Sequence, residues 1–141
     1  YRKKYFNIGV AVNTKNGLLV PVIKNADMKS IKEISKELTI LISKAKDKKL
    51  SPDDLSGGCI TITSLGNIGG TYFTPIINPP EVAILGISKI KIKPLLVNNK
   101  FKARKVLPIS LSYDHRVIDG AQAAEFVSKF NYFISNPSKL R

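Results

Sequence analysis

The one histidine of this chain, His115, sits in the stretch SYDHRVIDGA, Ser112 to Ala121, among groups that an acid–base site could use: Tyr113, Asp114, Arg116 and Asp119. A neutral imidazole, with a reference pKa of about 6.5, is suited to take a proton from a nucleophile near neutral pH. A second stretch, TITSLGNIGGTYFTPIINPPEVAILG, pairs the hydroxyls of Thr61, Thr63 and Ser64 with a glycine-rich turn and a proline-stiffened loop. Base, hydroxyl and glycine-rich backbone are the parts that acyl transfer needs: a proton acceptor, a donor for a tetrahedral oxyanion, and room for a substrate chain. The same residues admit a structural reading. Asp119 can N-cap a following helix with Gln122 completing a capping box, Gly120 can serve close backbone packing, and His115 can be a satisfied ring at a strand end.

These groups have to be held by something, and the composition bounds what that is. The 141 residues suit one domain with a real core, and 43% hydrophobic with 23% charged residues is the balance of a soluble globular protein. No apolar run approaches the roughly 18–20 residues that span a bilayer, so no membrane association is expected. The start, YRKKYFNIGVAV, lacks an initiating Met, a signal-peptide apolar region and a cleavage site, and opens almost directly on strand-like sequence. It reads as a piece of a longer chain. One cysteine, Cys59, excludes an internal disulfide, and one His with one Cys cannot supply an ordinary zinc site, so no metal is expected.

The formal charge of +13 invites a nucleic-acid reading. The cations are dispersed, however, through YRKKY, SKAKDKK, KIKIKP and KFKARK, interleaved with apolar neighbours. A solvated basic surface is the first account of them, and attraction to an anionic small molecule or an acidic protein the second. A nucleic-acid module would need cations interleaved with exposed aromatics on one face, and the sequence has no such pattern.

YFNIGVAV and GLLVPVIK read as the strands of a hairpin around Asn16-Gly17, with Pro21 putting the second at an edge or a bulge. Ser30 and Glu33 form a capping box, and Ile31, Ile34, Leu38, Leu41, Ile42 and Ala45 recur at helical spacing, which predicts a helix from about Ser30 to Lys48. CITITSL reads as a strand broken by GNIGG; TYFTPIINPPE is a loop; VAILGIS and KIKIKPLLV are strands, and NNK is a turn. FKARKVLPISLSY reads as an interior strand that delivers His115 at its C-terminal end, and DGAQAAEFVSKFNYFI as a closing helix. This order predicts a mixed α/β sandwich with a partly antiparallel sheet. If CITITS is a strand, Thr61 and Thr63 share one face while Ser64 points away, which favours Thr63 over Ser64 as the working hydroxyl.

SYDHRVIDGA resembles the His-x-x-x-Asp-Gly signature of the dihydrolipoyl acyltransferases, the core enzymes of 2-oxo-acid dehydrogenase complexes. GGCITITSLGNIGGTYFTPIINPPEVAILGISK resembles their other hallmark segment, and KKYFNIGVAVNTKNGLLVPVIKNAD the opening of the same half-domain. The bare signature is shared with chloramphenicol acetyltransferases; the three segments in order are what single out the family. The likeness covers essentially the whole chain, and its details are most similar to the members that transfer acetyl groups in pyruvate dehydrogenase complexes.

The resemblance implies a chloramphenicol-acetyltransferase-like two-layer sandwich with a mixed β-sheet. It implies that residues 1–141 are the C-terminal portion of the catalytic domain, without the lipoyl and subunit-binding domains. Homotrimers with sites at subunit boundaries, assembled into a hollow cage, are implied with it. Implied partners are the 2-oxo-acid decarboxylase and dihydrolipoamide dehydrogenase components, in a bacterial cytoplasm or a mitochondrial matrix. Coenzyme A is then the acceptor substrate, and lipoate is carried on a separate domain.

By the same resemblance, His115 takes the proton of the coenzyme A thiol, which titrates near a cysteine's roughly 8.5. The oxyanion-stabilising hydroxyl falls on Thr63, where acetyltransferases usually carry Ser. Asp119 holds the site together through an arginine of the N-terminal half, and Ser64 and Gly120 border the coenzyme A site. Gly120 is expected where a side chain would crowd the turn, and Asp114 and Arg116 are expected to be scaffold. Two alternatives stand beside this reading: a chloramphenicol-type O-acetyltransferase, which FTPIINPPEVAILG argues against, and a non-catalytic cage-forming scaffold, which the intact His115, Asp119, Gly120 and Thr63 argue against.

Overall fold

The elements follow in the order β1 (Ile8–Val10), β2 (Val12–Thr14), β3 (Gly17–Leu19), β4 (Val22–Ile23), α1 (Ile31–Lys46), β5 (Ile60–Ser64), β6 (Ala83–Ile87), β7 (Lys91–Val97), β8 (Lys100–Val106), β9 (Ile109–Tyr113) and α2 (Gly120–Ser135). The structure, a computed structural model, describes residues 3–66 and 68–139. Five strands form one sheet in the order β4-β1-β5-β6-β9. Its three inner strands run parallel, and β4 and β9 close the two edges antiparallel. The expected mixed sheet with packed helices is therefore the architecture found, and β5, which carries the threonines, runs through its middle.

The N-terminal hairpin forms in two stretches. β2 and β3 pair around a two-residue turn at Lys15-Asn16, one residue before the expected Asn16-Gly17, with Gly17 opening β3 opposite Thr14, and β1 pairs with β4. Between them Pro21 is wholly buried, and its carbonyl accepts the Val10 N–H at 2.9 Å. A residue without an N–H is tolerated there because the adjoining β4 is an edge strand.

The capping box of α1 is complete. Ser30 Oγ accepts the Glu33 N–H at 3.3 Å, and Glu33 Oε2 accepts the Ser30 N–H at 2.8 Å. The helix stops at Lys46, two residues short of expectation, where Lys48 takes φ +59° and turns the chain away. Leu41 and Ala45 are buried against the sheet side, and Ile31, at the other end of the stripe, overhangs it.

FKARKVLPISLSY is not one interior strand. It splits at Leu107-Pro108 into β8 and β9, because Pro108 cannot donate to a ladder. β8 pairs only with β7 as a separate two-stranded ribbon, closed by Asn98 and Asn99 at φ 52° and 57°. FKARK places Lys102 and Arg104 on one face and Lys105 on the other, so that segment cannot be buried on both faces. β9 is an edge strand of the described sheet. No helix among the described residues is long and apolar enough to cross a membrane.

Candidate active site

Alternation along β5 sorts its hydroxyls. Thr61 and Thr63 lie on one face, beside a cavity of about 380 Å³ whose walls include Ala11, Leu18, Val20, Phe73 and Ile77. Thr61 is completely buried and Thr63 half-buried. Ser64 is exposed and outside this cavity, and its Oγ accepts the Gly66 N–H at 3.3 Å, a turn that opens the glycine-rich segment. Asn67, within that segment, lies outside the described residues. Gly69 and Gly70 take φ +131° and +87°, which glycine adopts without strain. One cavity wall depends on Gly86, the register partner of Thr63: a Cβ there would stand 2.8 Å from Phe73 Cζ. The Phe73 ring thus lies on bare backbone beside Thr63.

His115 is held by a tight turn at the end of β9. The Asp114 N–H donates to the Val82 carbonyl at 2.8 Å, and the Asp114 carbonyl accepts the N–H groups of Val117 and Ile118, both at 3.0 Å. The Asp114 side chain braces the turn from inside. Oδ1 accepts the Arg116 backbone N–H at 3.0 Å, and Oδ2 accepts Arg116 Nη2 at 2.6 Å. The guanidinium hydrogen bonds, then the backbone one, hold the Asp114 carboxyl down at about 2. Both residues act as scaffold, and between them His115 stands exposed, its ring centroid 5.7 Å from that of Tyr113.

Asp119 caps α2: its Oδ1 accepts the Gln122 N–H at 2.8 Å, and Gln122 Oε1 accepts the Asp119 N–H at 3.3 Å. No arginine among the described residues pairs with it. The steric reason given for Gly120 is corrected. A Cβ at that position would meet only Tyr113 Oη at 3.8 Å, an ordinary contact, and its φ is not in the left-handed region. Crowding therefore does not require glycine at the helix's first position.

The chain does not bring His115 and Thr63 together. Thr63 is in register with Gly86 and Gly86 with Ser110, whereas Tyr113 is opposite Ala83. Tyr113 is therefore displaced from Thr63 by three residues along the strands and two strands across, about 14 Å between Cα atoms at strand spacings of about 3.3 and 4.8 Å. His115 lies beyond Tyr113, and no residue of its turn lines the Thr63 cavity.

Glu81 escaped the sequence reading. It is buried, 8% exposed, and its Oε2 accepts the Thr61 hydroxyl at 2.6 Å. Burial pushes its carboxyl above the usual carboxylate range, against the pull of the Thr61 hydroxyl and of Lys3. The available signal was a lone acid at the head of the apolar run VAILG. Among the described residues no three of His, Cys, Asp or Glu gather as a metal site requires.

Along residues 1–141 the chain matches the family model of the 2-oxoacid dehydrogenases acyltransferase (catalytic domain). It is 57% identical over 134 residues to the dihydrolipoyllysine-residue acetyltransferase component of the pyruvate dehydrogenase complex of Cupriavidus necator, covering 95% of this chain and 24% of that protein. The chain thus spans between 21% and 34% of the length of the curated relatives it matches.

Among solved structures, the dihydrolipoamide acetyltransferase of Azotobacter vinelandii superposes with a TM-score of 0.94 at 54% identity, over 96% of this chain and 56% of that one. It was studied for the role of a serine, a histidine and an asparagine in its catalytic mechanism. The cubic core of the pyruvate dehydrogenase multienzyme complex superposes with a TM-score of 0.94 at 53% identity, with the same coverage of each chain. A chloramphenicol acetyltransferase, at 17% identity over 91% of this chain and 61% of that one, has a TM-score of 0.54 and shares the fold.

Proposed function

The chain belongs to the 2-oxoacid dehydrogenase acyltransferases, as part of their catalytic domain, and on that premise we propose that it moves an acetyl group from an S-acetyl-dihydrolipoyl arm to coenzyme A. One observation carries the reading. The serine, histidine and asparagine studied in the A. vinelandii enzyme are separated along that chain by the same intervals as Thr63, His115 and Asp119 along this one. Threonine keeps the hydroxyl and adds a methyl that suits a strand. Aspartate keeps the oxygen that caps α2.

In this reading His115 takes the proton of the coenzyme A thiol, and the thiolate attacks the thioester carbonyl. The oxygen of the tetrahedral intermediate, now negative, accepts a hydrogen bond from Thr63 Oγ1. Collapse expels the dihydrolipoyl sulfur, which takes the proton back from His115. Asp119 fixes the start of α2 and so the C-terminal end of the histidine turn, and its second oxygen serves an arginine contributed from outside residues 1–141. Ser64 and Gly120, each one residue beyond a chemical group, border coenzyme A.

Because Thr63 and the histidine turn are far apart in one chain, the working site pairs His115 of one subunit with Thr63 of its neighbour, in a homotrimer that builds a larger cage. Lipoate sits on a separate domain. The cage serves 2-oxo-acid decarboxylase and dihydrolipoamide dehydrogenase components, in a bacterial cytoplasm or a mitochondrial matrix.

The test offers the full-length protein acetyl-, succinyl- and branched-chain acyl-dihydrolipoamide with free coenzyme A. Acetyl transfer is expected to be fastest, and His115→Ala to abolish it while leaving assembly intact. Preference for another acyl group removes the acetyl assignment. Activity within a few-fold of the parent in His115→Ala removes the general base. Transfer to an alcohol in place of the thiol indicates a chloramphenicol-type enzyme instead.

A further inference from the structure

Glu81 has no step in the transfer just described, yet it holds the hydroxyl of a threonine on the same strand as the hydroxyl that does. Thr61, whose hydroxyl it accepts, is two residues from Thr63 on the same face of β5, about 7 Å away. Glycines clear space for this pair on two sides. A Cβ on Gly58 would overlap Glu81 Oε1, and one on Gly9 would stand 2.6 Å from Thr61 Oγ1 and 3.3 Å from Glu81 Oε1. Val20 and Val22 of the hairpin flank the same two glycines. Among the described residues Lys3, whose Nζ donates to the Gly58 carbonyl, is the cation that acts on the carboxyl. Lys24, beside Gly57, is paired with Asp53 at 3.6 Å.

We infer that Glu81 is a positioning residue for acyl transfer: by accepting the Thr61 hydroxyl it anchors Thr61, and through it the part of β5 that presents Thr63. The inference rests on the reading of Thr63 as the oxyanion donor. An apolar residue in place of Glu81 would leave the Thr61 hydroxyl unpartnered in a dry site.

The test uses the full-length protein in its native assembly, with assembly checked by mass. The parent, Glu81→Gln, Glu81→Leu and Thr61→Val are assayed for acetyl transfer to coenzyme A. Gln keeps an oxygen to accept from Thr61, and its kcat is expected within about twofold of the parent. Leu removes the acceptor, and its kcat is expected about tenfold lower with KM within about twofold.

Thr61→Val keeps the shape and removes the donor. It is expected to lower kcat about tenfold with KM within about twofold of the parent. A parent-like kcat in Thr61→Val or Glu81→Leu, or a Glu81→Gln as damaged as Glu81→Leu, overturns the inference. A parent that transfers no acyl group overturns the functional reading and this inference together. An active parent with a parent-like Thr61→Val overturns this inference alone.

Discussion

Co-expressing two inactive single variants, His115→Ala and Thr63→Ala, is expected to regenerate activity that neither has alone. The strand register motivates this, since about 14 Å already separates Thr63 from Tyr113 and His115 lies farther on. In a cyclic trimer each boundary takes the histidine from one chain and the threonine from the next. With equal and random mixing, about a quarter of the boundaries pair an intact His115 with an intact Thr63, so about a quarter of the parental rate should return. If two affinity tags remove the pure trimers, every remaining trimer has one intact boundary, and the expectation rises to about a third. The baseline is low, because loss of the base costs about 10²–10⁴ in rate and loss of the hydroxyl about 10²–10³. Acetyl-coenzyme A formation is followed after co-expression or joint refolding, with mixed trimers verified by native mass and single variants carried through the same treatment. No rise above the single-variant baseline in verified mixed trimers would show that both groups act within one chain. The shared site would then be wrong while the fold stood.

Three further outcomes are expected. Thr63→Ala should lower kcat about 10²–10³-fold with little change in KM, and Thr63→Ser should be mild; a damaging Ser64→Ala in the same assay would reverse the assignment of hydroxyls on β5. Gly86→Ala places a methyl 2.8 Å from Phe73 Cζ, forcing the ring into the Thr63 cavity. Denaturation should show a loss of about 1–3 kcal/mol and kinetics a raised KM, both relieved by adding Phe73→Leu, and an unchanged KM would remove Phe73 from the cavity wall. Glu81 gives a pH signature in stability: its folded carboxyl titrates above the ordinary 4.5, so its contribution is complete below that value and is lost as pH rises through the raised one. The denaturation midpoint of Glu81→Gln relative to the parent should therefore climb over that window, and a constant difference would mean that Glu81 is not held protonated.

Much of this was legible because it is local. The capping box at Ser30 and Glu33, the tight hairpin turn beside Gly17 and the two-residue alternation of CITITS each depend on residues within a few positions of one another. The errors were failures of range. FKARKVLPISLSY was read by its apolar content, whereas the period-two placement of its cations and the missing N–H of Pro108 decide that it forms a ribbon strand and then an edge strand. Glu81 could not be paired from the sequence, since Thr61 is far along the chain and only the β5–β6 pairing brings them together. Gly120 was given a steric role that only the neighbouring side chains could test, and Tyr113 proves to be too far away to exert it.

The surfaces left open in the single chain bear on where the site is completed. In the β7–β8 ribbon Ile92, Leu96 and Phe101 share one face, since 92 and 96 are in step and Phe101 is opposite Leu96, and they are 72%, 62% and 77% exposed. Across the other face Lys93 is directly opposite Arg104, a like-charge pair that opposes pairing of the strands. A two-stranded ribbon is marginal in water even without such a pair, so this one needs cover. α2 similarly exposes Phe126, Tyr132, Phe133 and Ile134 while burying only Ala123. The chemistry makes the same demand. An exposed His115 is bathed in water, where a developing oxyanion gains little from a fixed donor, and the advantage of Thr63 depends on excluding that water. A subunit boundary that covered the apolar faces and closed His115 against a neighbour's Thr63 cavity would meet the needs of folding and of catalysis at once, which ties the activity of this chain to its assembly.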